Sequence, residues 1–276
     1  MREFFRRIAG RARIGTCVAV AVCAPLAVRA QLAVSNFEIF LHTTAPAVSG
    51  TFVVRNVSNL PQTAQLHLGD WERREDGTNI YHDSTGVLPG SCGPTLTAFP
   101  MTLRLAPGQS QAVRVTYTGP ARSTSCWEIV YVGTAPQPSR DTTGSRLDVR
   151  LQQGIKIYVE PAAANPELRI DSLALVPRQP ATPAAAGDTT GHDVLATVLN
   201  TGVIQAKVHG RVEYRTLSDS VVARDSIAEF PVLPGARRSV RVPMAPLTPG
   251  HYVVLVILDY GGRDLLAAQL QVDVNQ

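Results

Sequence analysis

Apolar and polar residues alternate with a period of two along most of the chain. They do so in short runs that match half-buried β-strands, and no stretch sustains the period of a helix. The clearest run is residues 147–161. Leu147, Val149 and Leu151 alternate with Asp148, Arg150 and Gln152. After Gln153 and Gly154 the pattern resumes as Ile155, Ile157 and Val159, with Lys156 facing the other way. Such a strand carries two separate apolar sets. Either both belong to its own sandwich, or one is free to pair with something else. Upstream, strands are predicted over residues 33–41, 51–55 (Phe52 and Val54 on one face), 63–71 (Ala64, Leu66 and Leu68 inward), 95–105, 111–117 (Val113 and Val115 inward) and 127–134. Turn signals such as Asp76-Gly77 and Pro107-Gly108 separate them, and residues 135–145 read as a polar, proline-containing loop. About seven strands in about 130 residues fit an immunoglobulin-like sandwich.

Residues 161–166 form a short, stiff linker, and a second series of strands follows over 167–176, 193–199, 207–217, 220–230, 237–242, 252–258 and 265–274. Pro234-Gly235 and Pro249-Gly250 punctuate this half as Pro107-Gly108 does the first. Residues 177–190, rich in Pro, Ala and Gly, predict a mobile loop. The expectation is an all-β chain of two tandem immunoglobulin-like β-sandwich domains, residues 31–161 and 166–276.

The opening of the chain alters the reading of its charge. Arg2, Arg6, Arg7, Arg11 and Arg13 precede an apolar run from Ile14 to Val28, with Val28 and Ala30 where a signal peptidase needs small residues. The run is short and alanine-rich for a bilayer span. Residues 1–30 therefore predict a signal peptide cleaved after Ala30. Val22 is too bulky for a lipoprotein signal at Cys23, and Arg6-Arg7 lacks the flanking pattern of twin-arginine export, so the general route is expected. Without the leader's six arginines and one glutamate, the 26 basic and 22 acidic residues become 20 and 21, a net charge of −1. The basic character belongs to the leader and implies nothing about nucleic acid. Cys17 and Cys23 leave with it. Cys92 and Cys126, an isolated pair in an oxidising compartment, are expected to form a disulfide rather than a reactive thiol or metal site.

The residues offer little to chemistry. His42, His67, His82, His192, His209 and His251 show no ligand spacing, and there is no Gly-rich phosphate loop, GxSxG elbow or recognisable pair of catalytic carboxylates. No enzyme, metal, cofactor or small-molecule substrate is expected. Trp71 and Trp127 are expected in or beside the core, and the mixed charges from Asp70 to Asp76 as a solvated hairpin tip.

Four motifs carry a resemblance. Phe99-Pro100, Leu103-Arg104-Leu105-Ala106-Pro107-Gly108-Gln109 and Val113-Arg114-Val115 together resemble the central signature of the periplasmic pilus-assembly chaperones, the PapD-like family. Trp127-Glu128-Ile129-Val130-Tyr131 sits where that family has an acidic residue before an apolar strand. Gly154-Ile155-Lys156-Ile157-Tyr158-Val159-Glu160-Pro161 resembles the end of its donor strand, and Tyr252 with Asp259-Tyr260-Gly261-Gly262 resembles a motif of its second domain. The resemblance implies a periplasmic chaperone that caps unassembled pilus- or fimbria-like or other envelope subunits by donor-strand complementation, a form of β-augmentation. It places the donor residues at Leu147, Val149 and Leu151 and the anchor for a subunit's terminal carboxylate at Lys156. An interdomain charge network would draw on Glu128, Asp259 and Glu160. Partners would be pilin-like or other secreted envelope subunits and an outer-membrane usher, with membrane contact only through them.

Two departures from the family pattern stand out. The family pairs its lysine with an arginine on the first strand, and residues 33–41 contain neither Arg nor Lys. The network's arginine position is occupied by Glu160. Three acids would repel if buried together, so either another cation such as Arg263 enters or the interface is more open. The alternative class is a structural or adhesive envelope protein without strand donation, in which Leu147, Val149 and Leu151 are buried in their own fold.

Overall fold

The computed structural model describes residues 31–134, 137–140, 144, 146–149, 151–178 and 191–275, with 137–140 and 146–149 described by their backbone. The predicted signal peptide (1–30) and most of the predicted loop 177–190 lie outside the described residues. In the first half the alternating runs become β1 (Leu32–Val34), β2 (Glu38–Thr43), β3 (Val48–Asn56), β4 (Gln62–Gly69), β5 (Trp71–Arg73), β6 (Asn79–Tyr81), β7 (Leu96–Phe99), β8 (Thr102–Leu105), β9 (Ser110–Tyr117), β10 (Cys126–Thr134), β11 (Gln137–Arg140), β12 (Arg146–Val149) and β13 (Gln152–Pro161). One sheet has the order β1-β3-β9-β7 and the other β2-β13-β10-β4-β8, with β5-β6 and β11-β12 as separate two-stranded ladders. Phe52, Val54, Val113 and Val115 from the first sheet meet Ala64, Leu103, Val130, Ile155, Ile157 and Val159 from the second in one core. Burial of each larger side chain contributes roughly 1.5–3 kcal/mol before ordering costs.

Two runs that read as single strands are divided between the sheets. In 33–41, β1 pairs with β3 while β2 runs parallel to β13. In 95–105, β7 pairs with β9 and β8 with β4, and Pro100 stands at the break with no N–H to give a ladder. The supposed loop 135–145 contains a strand, β11, and the supposed continuous strand 147–161 is two, β12 and β13.

The second half comprises β14 (Leu168–Pro177), β15 (His192–Asn200), β16 (Ala206–Thr216), β17 (Val221–Val232), β18 (Arg237–Pro243), β19 (Gly250–Asp259) and β20 (Leu266–Val274). The order β14-β15-β18 lies against β17-β16-β19-β20 across a core that includes Val198, Val208, Val212, Tyr214, Val254, Val256 and Leu258. Among the described residues no ladder joins the two halves. The chain is an all-β protein of two tandem immunoglobulin-like sandwiches.

Both halves use one device to close. Asn56 and Asn200 are fully buried at strand ends. The Asn56 amide donates to the Leu60 and Leu105 carbonyls, and the Asn200 amide to those of Ile204 and Val232. The carbonyls of the same two asparagines accept the amides of Gly108 and Gly235, at 3.0 and 3.1 Å. Each glycine follows a proline and has φ near +74°, the backbone a type II turn requires at that position. The Pro-Gly punctuation is thus tied to the asparagine of each half.

The halves touch through the β5–β6 hairpin, whose charged tip is exposed at Arg74, Glu75 and Asp76 as expected, while its base is buried or half-buried. The Glu75 carbonyl accepts the Ser239 amide at 2.8 Å, and Arg73 Nη1 lies 3.5 Å from the Pro231 carbonyl. Asp70 is buried and accepts the amides of Val87 and Leu88. Leu233 packs with Trp71, Ile129, Tyr131 and Tyr158.

Candidate functional site

Alternation along β13 creates the site. Ile155, Ile157 and Val159 enter the core, so Lys156, Tyr158 and Glu160 emerge on the opposite face, toward the hairpin and the second sandwich. Tyr158 stacks on Phe40 at 4.8 Å and meets Trp71 edge-on at 6.0 Å. Lys156 Nζ stands 4.3 Å from the centre of the Trp71 ring, a cation–π contact, and Arg73 Cζ stands 5.3 Å from it. Burial pushes the Lys156 ammonium down to about 8, helped by the Arg73 charge and opposed by Glu38. Glu38 is itself paired with Lys207 of the second half at 3.1 Å. A groove of about 520 Å³ opens between Phe37, Glu38, Tyr81, Gly154 and Lys156. Beside it a second hollow reaches Asp83, Ile129, Tyr131 and Gln152. Among the described residues no group of three or more His, Cys, Asp or Glu is placed to hold a metal.

The backbone edge that leads to Lys156 has a strand on one side. β10 pairs with β13 from Cys126↔Val159 to Gly133↔Gln152, and β11 with β12 from Gln137↔Val149 to Arg140↔Arg146. On the other side β2 joins only at Lys156↔Glu38 and runs on to Pro161. Among the described residues, β12 and the first residues of β13 therefore have no strand partner on that side. Leu151 is half exposed, beside Leu32, Val132, Thr134 and Gln153, and its carbonyl accepts the Thr134 amide at 3.3 Å. The side chains of Leu147 and Val149 lie outside the described residues.

Glu128, Glu160 and Asp259 are not drawn into one network. Glu128 stands opposite Ile157 and shares its inward face, whereas Glu160 lies on the other face of β13. Ser91 Oγ donates to Glu128 Oε1 at 3.1 Å, and burial, with Asp70 nearby, pushes this carboxyl up to about 7. Glu160 is raised by burial, which His42, 3.8 Å away, and the Gln205 amide offset. Asp259 accepts the Gly261 amide of its own turn. The cation that complements a cleft acid is Lys207, at Glu38. Cys92 and Cys126 form a disulfide that pins the segment after β6 to the start of β10.

The contacts that shape the groove were hidden in sequence. Glu38, the hairpin that carries Trp71, Arg73 and Tyr81, Lys156 and Lys207 lie far apart along the chain, and no local pattern joins them. Trp71 is fully buried and Trp127 partly so, its indole N–H donating to the Trp71 carbonyl at 3.0 Å.

Two tandem sandwiches define the class of fold. Solved structures are similar in fold. A chain of the chaperone–tip adhesin complex of CFA/I fimbriae biogenesis is similar at a TM-score of 0.50 and 13% identity, over 87% of this chain and 98% of that one. The class 5 fimbriae chaperone CfaA follows at 0.49 and 15% identity, over 89% and 100% of the two chains. A chain of the SafA pilin–SafB chaperone complex of Salmonella enterica gives 0.44 and 15%, over 87% and 96%. No protein-family model and no curated protein matches the sequence. Among the described residues no helix is long and apolar enough to cross a membrane.

Proposed function

We propose that the chain is a divergent periplasmic chaperone of the PapD-like type, exported by its leader, which binds and caps unassembled pilin-like or other envelope subunits by lending them a strand. The observation that carries this reading is the side of β12 and early β13 that has no strand partner among the described residues and ends at a lysine in a groove. A subunit that lacks a strand gains main-chain hydrogen bonds along that side, while Leu147, Val149 and Leu151 fill its open core. Each apolar side chain so buried contributes roughly 1.5–3 kcal/mol before ordering costs. Lys156 then holds the subunit's terminal carboxylate by a charge-assisted hydrogen bond. The two-sandwich fold, shared with a chain from a complex of a chaperone and a tip adhesin, supports the same class. The mechanism calls for no bond-making chemistry, and an usher would be the next recipient of the subunit.

The test is co-purification from the periplasm of the producing bacterium, with any bound subunit identified by mass spectrometry. Val149→Asp is expected to abolish capture while leaving the melting temperature of the free protein unchanged. Full capture by that variant would mean that no strand is lent.

A further inference from the structure

We propose that the β5–β6 hairpin is a latch between the sandwiches, through which Arg238 on the second fixes the setting of Lys156 on the first. The latch acts whether or not a client enters the groove. The hairpin has three rungs, from Trp71↔Tyr81 to Arg73↔Asn79, and the Arg74 amide closes its turn on the Thr78 carbonyl at 2.8 Å. A two-stranded hairpin of that size is marginal by itself, so what its two ends grip decides where it lies. Its root belongs to the first sandwich. Trp71 is fully buried, the Asp70 amide donates to the Ser84 carbonyl at 3.0 Å, and the Asp70 carbonyl accepts the His82 amide at 2.9 Å. Its tip is gripped by the second. β18 is the last strand of its sheet, and among the described residues no strand covers its outer edge. The Ser239 amide on that edge donates to the Glu75 carbonyl, and the Ser239 hydroxyl donates to Glu75 Oε1. Arg238 Nη1 donates to the same Glu75 carbonyl at 2.9 Å and to the Ser239 carbonyl, while its Cζ stands 5.7 Å from the Phe230 ring. Gly77 makes room for this guanidinium. A β-carbon there would meet Arg238 Nη2 at 2.2 Å, and the φ of +92° is one that glycine adopts without penalty.

Between root and tip the hairpin touches both the second sandwich and the lysine. Arg73 Nη1 lies 3.5 Å from the Pro231 carbonyl, and Arg73 Cζ stands 5.3 Å from the Trp71 ring. Trp71 bears Lys156 Nζ at 4.3 Å and packs in one cluster with Leu233. Burial and the Arg73 charge depress the Lys156 ammonium, and the hairpin supplies both that charge and the indole that covers it. The charges that act on Lys156 are those of Arg73 and Glu38. A change at Arg238 therefore reaches Lys156 by moving the hairpin, a packed element held at both ends.

Two readouts on the purified protein test the latch. Nitroxide labels at Arg104→Cys and Gln271→Cys, exposed positions in opposite sandwiches, report the distance between the halves by double electron–electron resonance, and the native disulfide keeps Cys92 and Cys126 unreactive. Reductive dimethylation with 13C labels the chain's only two lysines and keeps their charge, and Lys207→Arg assigns their signals. Arg238→Ala is expected to broaden the distance distribution and to raise the pKa of Lys156 by about one unit, as the indole and Arg73 withdraw. Gly77→Ala, which fills the seat of the guanidinium, is expected to produce both changes with the Arg238 charge still present. A broadened distribution with an unmoved Lys156 titration would overturn the coupling and reduce the hairpin to a strut. An unchanged distribution in Arg238→Ala would overturn the latch itself. If Arg238→Ala does not fold, Ser239→Ala, which removes the hydroxyl that grips Glu75, is judged by the same two readouts.

Discussion

Glu128 sits uneasily in its surroundings. It is fully buried, its Oε2 has no partner among the described residues, and the nearby Asp70 opposes its charge. Burial is the main reason its carboxyl rises to about 7. The folded state therefore keeps a proton at pH values where an unfolded glutamate, near 4.3, has lost it. The stability this contributes is full below about pH 4 and is lost as pH rises through 7. Glu160 shifts in the same direction and adds to the trend. Thermal melts are expected to show higher stability at pH 5 than at pH 8, with Glu128 responsible for on the order of 2 kcal/mol. Glu128→Gln should flatten that slope by stabilising the protein at pH 8. Equal slopes in the two proteins would show that another group titrates.

At the scale of elements, the disulfide and the long β10–β13 hairpin organise the first sandwich. Cys92–Cys126 closes the segment between β6 and β10. Replacing both cysteines by alanine is expected to cost about 3–4 kcal/mol, read from urea unfolding. No loss of stability would mean that Asp70 and Glu128 hold the segment unaided.

Most strands were legible because a sheet with one buried face must alternate, as Phe52/Val54 and Val113/Val115 do. The switch of sheet between β1 and β2 was not legible, since a strand has the same period whichever sheet it joins. Pro100 did carry a local signal for the second switch, through its missing donor. Arg74, Glu75 and Asp76 are exposed as expected, whereas the burial of Asp70 and the contacts of Glu75 and Arg73 with Ser239 and Pro231 were not legible, because the partners lie elsewhere in the chain. Lys156 was legible through its motif, whereas the Trp71 platform beneath it exists only once β5 has folded back over β13.

Among the described residues the junction of the sandwiches has an apolar contact at Leu233 and Ala236 ringed by polar ones. Leu233 is buried with Trp71 and Tyr158. Around it, Ser125 N and Oγ both donate to the Val203 carbonyl, and Glu75 meets Ser239. Leu233→Asp places an unpaired charge there and is expected to uncouple the halves. Calorimetry should then show two unfolding transitions in place of one. A single unshifted transition would show that the polar contacts alone couple the halves.

Because every ladder among the described residues closes within its own half, the strands up to Pro161 pair without any strand from later in the chain. A polypeptide that emerges amino end first therefore acquires the edge at Lys156 before it acquires Lys207. In that interval Glu38 lacks its eventual partner and is left as the neighbouring acid for Lys156. A half-emerged molecule would mask its own cation, and the arrival of the second sandwich would uncover it. Readiness for a client would then be timed by the completion of the chain itself.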